Sequence, residues 1–290
     1  MNKEFSMGIA VKLICATNKI FKKQPHPFNM QNDGVKTYAE WQFERGHETV
    51  KHFMQKYSES EMFEGKDVLD MGCGAAGKSL YYVKCGAKHV TGAEIVAHYE
   101  AEANALAEKL GYSDKFTFVC ASAYDLPMEN NSFDTIIMND FMEHVDRPDE
   151  ALREALRLIR PNGRIYINFP PYYHPFGFHM SDVINMPWVH VFFSDKSLIE
   201  AYKRLVSDLP DRDTRLAFRF SEGEDGLTRY TYINKMTLRR FKKMLKTMGI
   251  KPAWYNEVPL RSLFRPLAKL PGLREFFVKM VVCSISGDSK

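Results

Sequence analysis

Val68-Leu69-Asp70-Met71-Gly72-Cys73-Gly74-Ala75-Ala76-Gly77-Lys78-Ser79 runs from an apolar stretch through spaced glycines into a helical pattern, and its interpretation decides the fold. Glycines at such a junction let the backbone turn sharply and let a ligand approach with no Cβ in the way. As a bare pattern the stretch is ambiguous. Gly72, Gly74 and Gly77 satisfy the GxGxxG of dinucleotide binders, whereas Gly72, Gly77, Lys78 and Ser79 satisfy GxxxxGK[ST], a phosphate-cradling loop. Ile136-Ile137-Met138-Asn139-Asp140 adds to the ambiguity, because it is similar to the apolar strand whose terminal Asp holds magnesium in nucleotide triphosphatases.

Charge separates the readings. A phosphate loop gathers backbone N–H groups and cations around an anion. Here Asp70 stands just before the first glycine, where a carboxylate suits a ligand carrying ammonium and sulfonium charge better than a polyphosphate. About 20 residues beyond the loop, Gly92-Ala93-Glu94 ends the next apolar run, where a carboxylate can accept both hydroxyls of an adenosine ribose. Glycine loop, preceding Asp and following Glu agree on a nucleoside with a cationic tail, which is S-adenosylmethionine. A nucleotide-phosphate enzyme built on Gly77-Lys78-Ser79 is the alternative.

Outward from the loop, short apolar runs alternate with helical patterns, the signature of a parallel sheet covered by helices. The runs Asp67–Met71, His89–Ala93, Phe116–Ala121, Thr135–Asn139 and Arg164–Asn168 are expected as strands, and Ala97–Leu110 and Pro148–Arg160 as helices, the latter stopped by Pro161-Asn162-Gly163. From Pro170 to about Tyr232 the alternation gives way to a segment rich in aromatics, His and Pro. Thr237–Met248 resumes as a basic amphipathic helix, Trp254 opens another strand-like run, Pro259–Lys279 forms a smaller apolar and basic excursion, and Val281–Ser286 reads as a final strand. The expected division is a helical lid segment over 1–60, a Rossmann-like core over 61–169, a substrate cap over 170–232 and a completion of the core over 233–290.

The composition is that of an ordinary globular chain: 290 residues, 45% apolar, 26% charged, net charge +4. That surplus is too small to imply nucleic acid without clustering. Cys15, Cys73, Cys85, Cys120 and Cys283 include no CxxC pair and read as reduced thiols. No apolar run approaches the ~20 residues of a membrane span, and no cleavable leader is evident, so a cytoplasmic protein is expected.

The order and spacing of Val68-Leu69-Asp70-Met71-Gly72-Cys73-Gly74, Leu126-Pro127, Ser132-Phe133-Asp134, Glu143-His144-Val145 and Leu158-Ile159-Arg160-Pro161-Asn162-Gly163-Arg164 resemble the class I S-adenosylmethionine-dependent methyltransferases that act on small molecules. The resemblance covers roughly Asp67 to Asn168. It implies an α/β fold, Rossmann-like and doubly wound, with a seven-stranded, mostly parallel sheet and a cap inserted after the fifth strand. It also implies roles. Asp70, Gly72, Cys73 and Gly74 would line the methionine end, Glu94 and Ile95 the ribose and adenine, Ser122 and Ala123 the adenine edge, and Asn139 the amino-acid tail or methyl group. Ser122 departs from the family's usual Asp, and Ala76 stands where many members have Gly.

Methyl transfer from a sulfonium is an in-line displacement that needs alignment, exclusion of water and, for some acceptors, a base. The candidates lie after the fifth strand, in Asn168 to His179, where open α/β sheets bind ligands: His174, His179, Tyr172 and Tyr173, joined by His144 of the quoted Glu143-His144-Val145, which either acts in catalysis or only caps the site wall. A metal site is not expected, since His174, His179, Asp182 and His190 follow no ligand spacing. Upstream, Tyr38, Trp41 and Arg45 share one helix face, and Tyr38 or Arg45 could reach the methionine carboxylate. Phe5–Phe21 and Leu260–Val278 combine apolar and basic residues, so a membrane surface or a lipid acceptor is a secondary reading; Lys235, Arg239, Arg240, Lys242, Lys243 and Lys246 are expected as a solvated helix face, not an RNA groove. The expected partner is a small molecule, apolar or aromatic.

Overall fold

Strand β1 (Asp67–Met71) forms where Val68, Leu69 and Met71 are buried between neighbours on both sides, as a central parallel strand requires. The structure, a computed structural model, describes residues 3–24, 26, 28–29, 36–231 and 233–289. Tyr232, the approximate end of the expected cap, lies outside them, as does the side chain of Phe5.

β1 is followed by α5 (Gly77–Lys84), β2 (His89–Glu94), α6 (Tyr99–Leu110), β3 (Phe116–Cys120), β4 (Phe133–Asn139), α7 (Pro148–Leu158) and β5 (Ile159–Phe169). After the cap come α11 (Leu238–Thr247), β8 (Trp254–Pro259) and β9 (Val278–Ser286). The sheet has seven strands in the order β3-β2-β1-β4-β5-β9-β8. The first five are parallel and β9 runs antiparallel to both β5 and β8. The α/β, Rossmann-like, doubly wound architecture is therefore present. The order reverses between β1 and β4, which opens a crevice at their C-terminal ends, the usual ligand position in such sheets.

One boundary differs from expectation. α7 stops at Leu158, and Pro161-Asn162-Gly163 lies inside β5 as a bulge, with a register shift against β4 and Asn162 at φ 63°. A residue before proline avoids the helical region, and Arg160 is drawn to the sheet by Asp67 (3.0 Å) and Asp134 (2.7 Å).

The remaining segments build a second, smaller core. The helix α1 (Lys3–Asn18) packs on α9 (Asp195–Leu205), and Val11 and Ile14 share an interior with Phe178, Ile184, Leu198, Tyr202 and Phe220. α8 (Val189–Phe192), α10 (Arg212–Arg219) and the hairpin β6 (Phe220–Glu222) and β7 (Thr228–Tyr230) complete this cap. By contrast α2 (Tyr38–Glu44), α3 (Gly46–Val50) and α4 (Glu59–Phe63) lie against the main sheet layer, with α2 and α3 packed on α5. Among the described residues, no helix is long and apolar enough to cross a membrane.

Candidate active site

The glycine loop is held in one shape from three sides. Gly72 and Cys73 donate their amides to Ala93 O at the tip of β2 (2.8 and 3.2 Å). The Gly74 amide donates to Glu94 Oε2 at 3.0 Å. From above, Gln42 Oε1 on α2 accepts the Gly77 amide at 3.2 Å. Two glycines are needed for reasons that can be measured. Gly72 has φ 75° and a Cβ there would lie 2.4 Å from the Phe141 ring; at Gly77 a Cβ would lie 1.9 Å from Ala39 O. Ala76 adopts φ 59° without being glycine, a conformation that costs an L-residue roughly 1–2 kcal/mol.

The two acids take different positions. Glu94 is partly exposed at the β2 tip, its Oε1 accepting the amides of Ile95 (2.9 Å) and Val96 (3.1 Å). Three backbone N–H groups thus orient one carboxylate and leave lone pairs for hydroxyl donors. Beside it Ile95 is 67% exposed, an isolated apolar surface at a polar strand end. Asp70 is buried beneath the loop and accepts the Ser79 hydroxyl at 2.6 Å; burial raises its pKa to about 6. Asn139, buried at the β4 tip, donates to Asp140 Oδ2 at 3.0 Å, and Ser122 and Ala123 follow β3, partly exposed.

Lys78, on which a phosphate loop would depend, reaches across to Asp140 at 3.4 Å. The same carboxylate that would hold magnesium in that alternative is thus the lysine's partner.

Tyr38 covers the loop, its ring 3.7 Å from the position of a Cβ on Gly74. Arg45 is exposed and its guanidinium stacks on Trp41 at 5.1 Å.

The candidate catalytic residues fall in two groups. His144 and His179 meet edge to face, ring centroids 4.8 Å apart, with Nε2 atoms 3.7 and 4.0 Å from Glu143 Oε1. Tyr173 and His174 lie elsewhere in the cap wall. Tyr173 packs on Tyr172 and Phe276, both at 5.3 Å, and His174 accepts the Phe176 amide at 3.2 Å. Burial lowers the His174 pKa to about 3 and His190 to about 4, so both rings are neutral.

Residues 69–167 match the methyltransferase domain family. Sterol 24-C-methyltransferase ERG6B of Gibberella zeae is 35% identical over 99 residues, 34% of this chain and 26% of that protein. The ubiquinone/menaquinone biosynthesis C-methyltransferase UbiE of Roseobacter denitrificans is 32% identical over 104 residues, 36% of this chain and 42% of that protein. This part of the chain is a class I S-adenosylmethionine-dependent methyltransferase domain. The alignments span less than half the length of either curated relative. A solved structure of geranyl diphosphate C-methyltransferase from Streptomyces coelicolor A3(2), in complex with Mg2+, geranyl diphosphate and S-adenosyl-L-homocysteine, shares the fold: TM-score 0.52 at 13% identity, covering 82% of this chain and 77% of that one.

Several parts of the candidate site escape sequence reasoning. Gln42 is one; its position four after Tyr38 was the only signal. Phe141 seals Gly72, and Glu143 is 3% exposed although it stands in the quoted Glu143-His144-Val145. Asn234 clamps that loop by donating to Met142 O at 2.7 Å. Asp182 is unavailable to any metal or substrate, because it accepts Tyr202 OH (2.7 Å), Arg215 Nη1 (2.9 Å) and Arg219 Nη2 (3.0 Å) in the cap interior. On the basic stretch around α11, Lys235 pairs with Asp195, Lys242 with Glu257, and Arg240 bonds Asn234.

Proposed function

We propose that the chain transfers a methyl group from S-adenosylmethionine to oxygen, nitrogen or carbon of a small, largely apolar molecule held under the cap. The observation that carries this reading is the Glu94 carboxylate, oriented by the Gly74, Ile95 and Val96 amides at a strand tip beside an exposed Ile95. That arrangement fits a ribose and an adenine face. The bound cofactor supplies an activated methyl on a sulfonium, so the protein's task is binding and alignment.

In this reading Glu94 accepts the ribose hydroxyls, Ile95 and the Ser122–Ala123 segment flank the adenine, and Gly72 and Gly74 let the backbone approach the tail. Asp70 supplies negative charge below the loop, Asn139 and Tyr38 border the amino-acid end, and Arg45 stays at the rim unless α2 turns. Wall aromatics, Tyr172 and Tyr173 from the cap and Phe276 from the later excursion, exclude water and favour an apolar or aromatic acceptor. His174, its ring neutral, is the candidate to accept a proton where the acceptor must lose one. The sterol and quinone names of the relatives point the same way, and Lys78 is engaged with Asp140.

Isothermal titration with S-adenosylmethionine and, separately, with ATP–Mg2+ tests the proposal. Binding of the first with micromolar affinity and no heat from the second is expected. Binding of ATP–Mg2+ alone would replace the reading with the phosphate-loop alternative.

A further inference from the structure

Three side chains in the wall between β4 and the cap converge without a role in binding the cofactor. Glu143, His144 and His179 each offer one ligand atom, and these atoms lie within 4.8 Å of one another. Glu143 follows the β4 tip and His179 comes from the cap, 36 positions later along the chain. Their meeting is therefore a property of the tertiary fold.

The carboxylate is the informative member. It is 3% exposed, and among the described residues neither Oε1 nor Oε2 has a hydrogen-bond partner. A buried charged carboxylate without hydrogen bonds costs several kcal/mol; burial pushes the Glu143 carboxyl well up, so it holds a proton until a cation takes the proton's place. The loop that carries it is not free to move it outward: Asn234 bonds Met142 O and accepts support from Glu143, whose carbonyl takes the Asn234 amide at 2.7 Å. The two imidazoles face the same oxygen, Oε1, at 3.7 and 4.0 Å. Around a tetrahedral ion with ligands at about 2.05 Å, neighbouring donor atoms sit about 3.3 Å apart. The two imidazole–carboxylate separations need to close by under about 1 Å, and the widest separation in the group, within 4.8 Å, by up to about 1.5 Å, to bring three donors into coordination distance. His179 is already in the left-handed region at φ 53°, a backbone that fixes its ring position at some conformational cost.

We propose that Glu143, His144 and His179 form a binding site for a divalent transition-metal ion of the Zn2+ class. Two imidazoles and one carboxylate suit Zn2+, Mn2+ or Fe2+ better than Mg2+, which prefers oxygen donors and keeps its waters. Three protein ligands leave a coordination position open, as in catalytic and not structural zinc sites. The site adjoins the cofactor loop, since Phe141, two residues before Glu143, packs on Gly72. An oxygen-bearing acceptor under the cap would take the open position. Metal binding itself does not depend on the methyl-transfer reading and is tested apart from it.

The test uses the full chain after exhaustive dialysis against a chelator. Titration with ZnCl2 should give one high-affinity equivalent and a rise in unfolding temperature, MgCl2 should give neither, and CoCl2 should give the visible bands of a four-coordinate ion. Glu143→Gln keeps the shape and should weaken Zn2+ binding by about 100-fold or more, beyond the 10–100-fold typical of losing an outer partner. Circular dichroism checks that this variant is folded; if it is not, a chain with both His144→Ala and His179→Ala carries the comparison. No stoichiometric Zn2+ binding by the wild-type chain, or binding that survives in whichever of these variants folds, overturns the proposal.

Discussion

The Gly74 amide and the Glu94 carboxylate meet at 3.0 Å, joining the turn after the first strand to the tip of the second. The loop is therefore shaped by the same group proposed to receive the ribose. Binding and loop order are coupled, because any ligand that competes for Glu94 also acts on the loop.

Glu94→Ala removes an acceptor shared by three backbone amides and, in the proposed function, the ribose anchor. Loss of charge-assisted hydrogen bonds of this kind is worth about 3 kcal/mol, so affinity for S-adenosylhomocysteine by titration calorimetry should fall by about 100-fold. Lys78→Ala should change it by less than about threefold, since Lys78 is engaged with Asp140 and a partly exposed pair is worth at most about 1 kcal/mol. The opposite ranking would argue for a phosphate ligand.

Gly77→Ala should be severe. Its Cβ would sit 1.9 Å from Ala39 O, so α2 must shift, breaking the Gln42 bond to the loop. A cost of about 3 kcal/mol or more is expected in urea unfolding, at the upper end for overpacking. Ala76→Gly at the neighbouring position should do the reverse and stabilise by about 1 kcal/mol, by relieving φ 59°. Equal effects at both positions would contradict this geometry.

Arg215 and Arg219 are each 1% exposed and both converge on Asp182. Asp182→Ala leaves two buried guanidinium groups short of their acceptor, which should cost about 3–5 kcal/mol. Hydrogen exchange should place the loosening in the cap, while amides of β1, β2 and β4 keep their protection. Uniform loss of protection would mean that cap and core unfold as one unit.

Acidification should weaken the fold before ordinary carboxylates titrate. His26 and His190 are lowered to about 4 and His174 to about 3, chiefly by burial, from an ordinary 6.5. The unfolded chain then binds more protons than the folded one, so the stability these rings contribute is complete above about pH 6.5 and is lost as pH falls towards 4. Asp70, raised to about 6 from 3.8, has the opposite sign and costs stability as pH rises through that window. His52 and His179 are lowered too, so five rings outweigh the three carboxyls that burial raises, Asp70, Glu143 and Glu275, and the urea midpoint should drop between neutral pH and about pH 5. A flat or rising midpoint would contradict the burial of these rings.

Sequence pattern captured most of the core because its information is local. β1 spans Asp67–Met71 as its apolar run indicates, and α6 and α7 begin within two residues of expectation. The Arg160 boundary was misplaced because its partners, Asp67 and Asp134, are far away in the chain. Glu94 was legible for the same local reason: a strand period ending in an acid, a fixed distance from a glycine turn.

By itself the sequence determined an α/β sheet, a glycine turn flanked by two acids and a basis for choosing a cationic nucleoside over a phosphate. Backbone periodicity and charge order along the chain suffice for that. Only the tertiary structure decided that Lys78 answers Asp140, that Gln42 holds the loop, that α1 belongs with the cap, and that His179 stands beside Glu143 while His174 does not. Those are pairings between residues distant in sequence, chosen by packing and by the need to satisfy buried polar groups, and no one-dimensional pattern encodes which of many chemically suitable partners will be within reach.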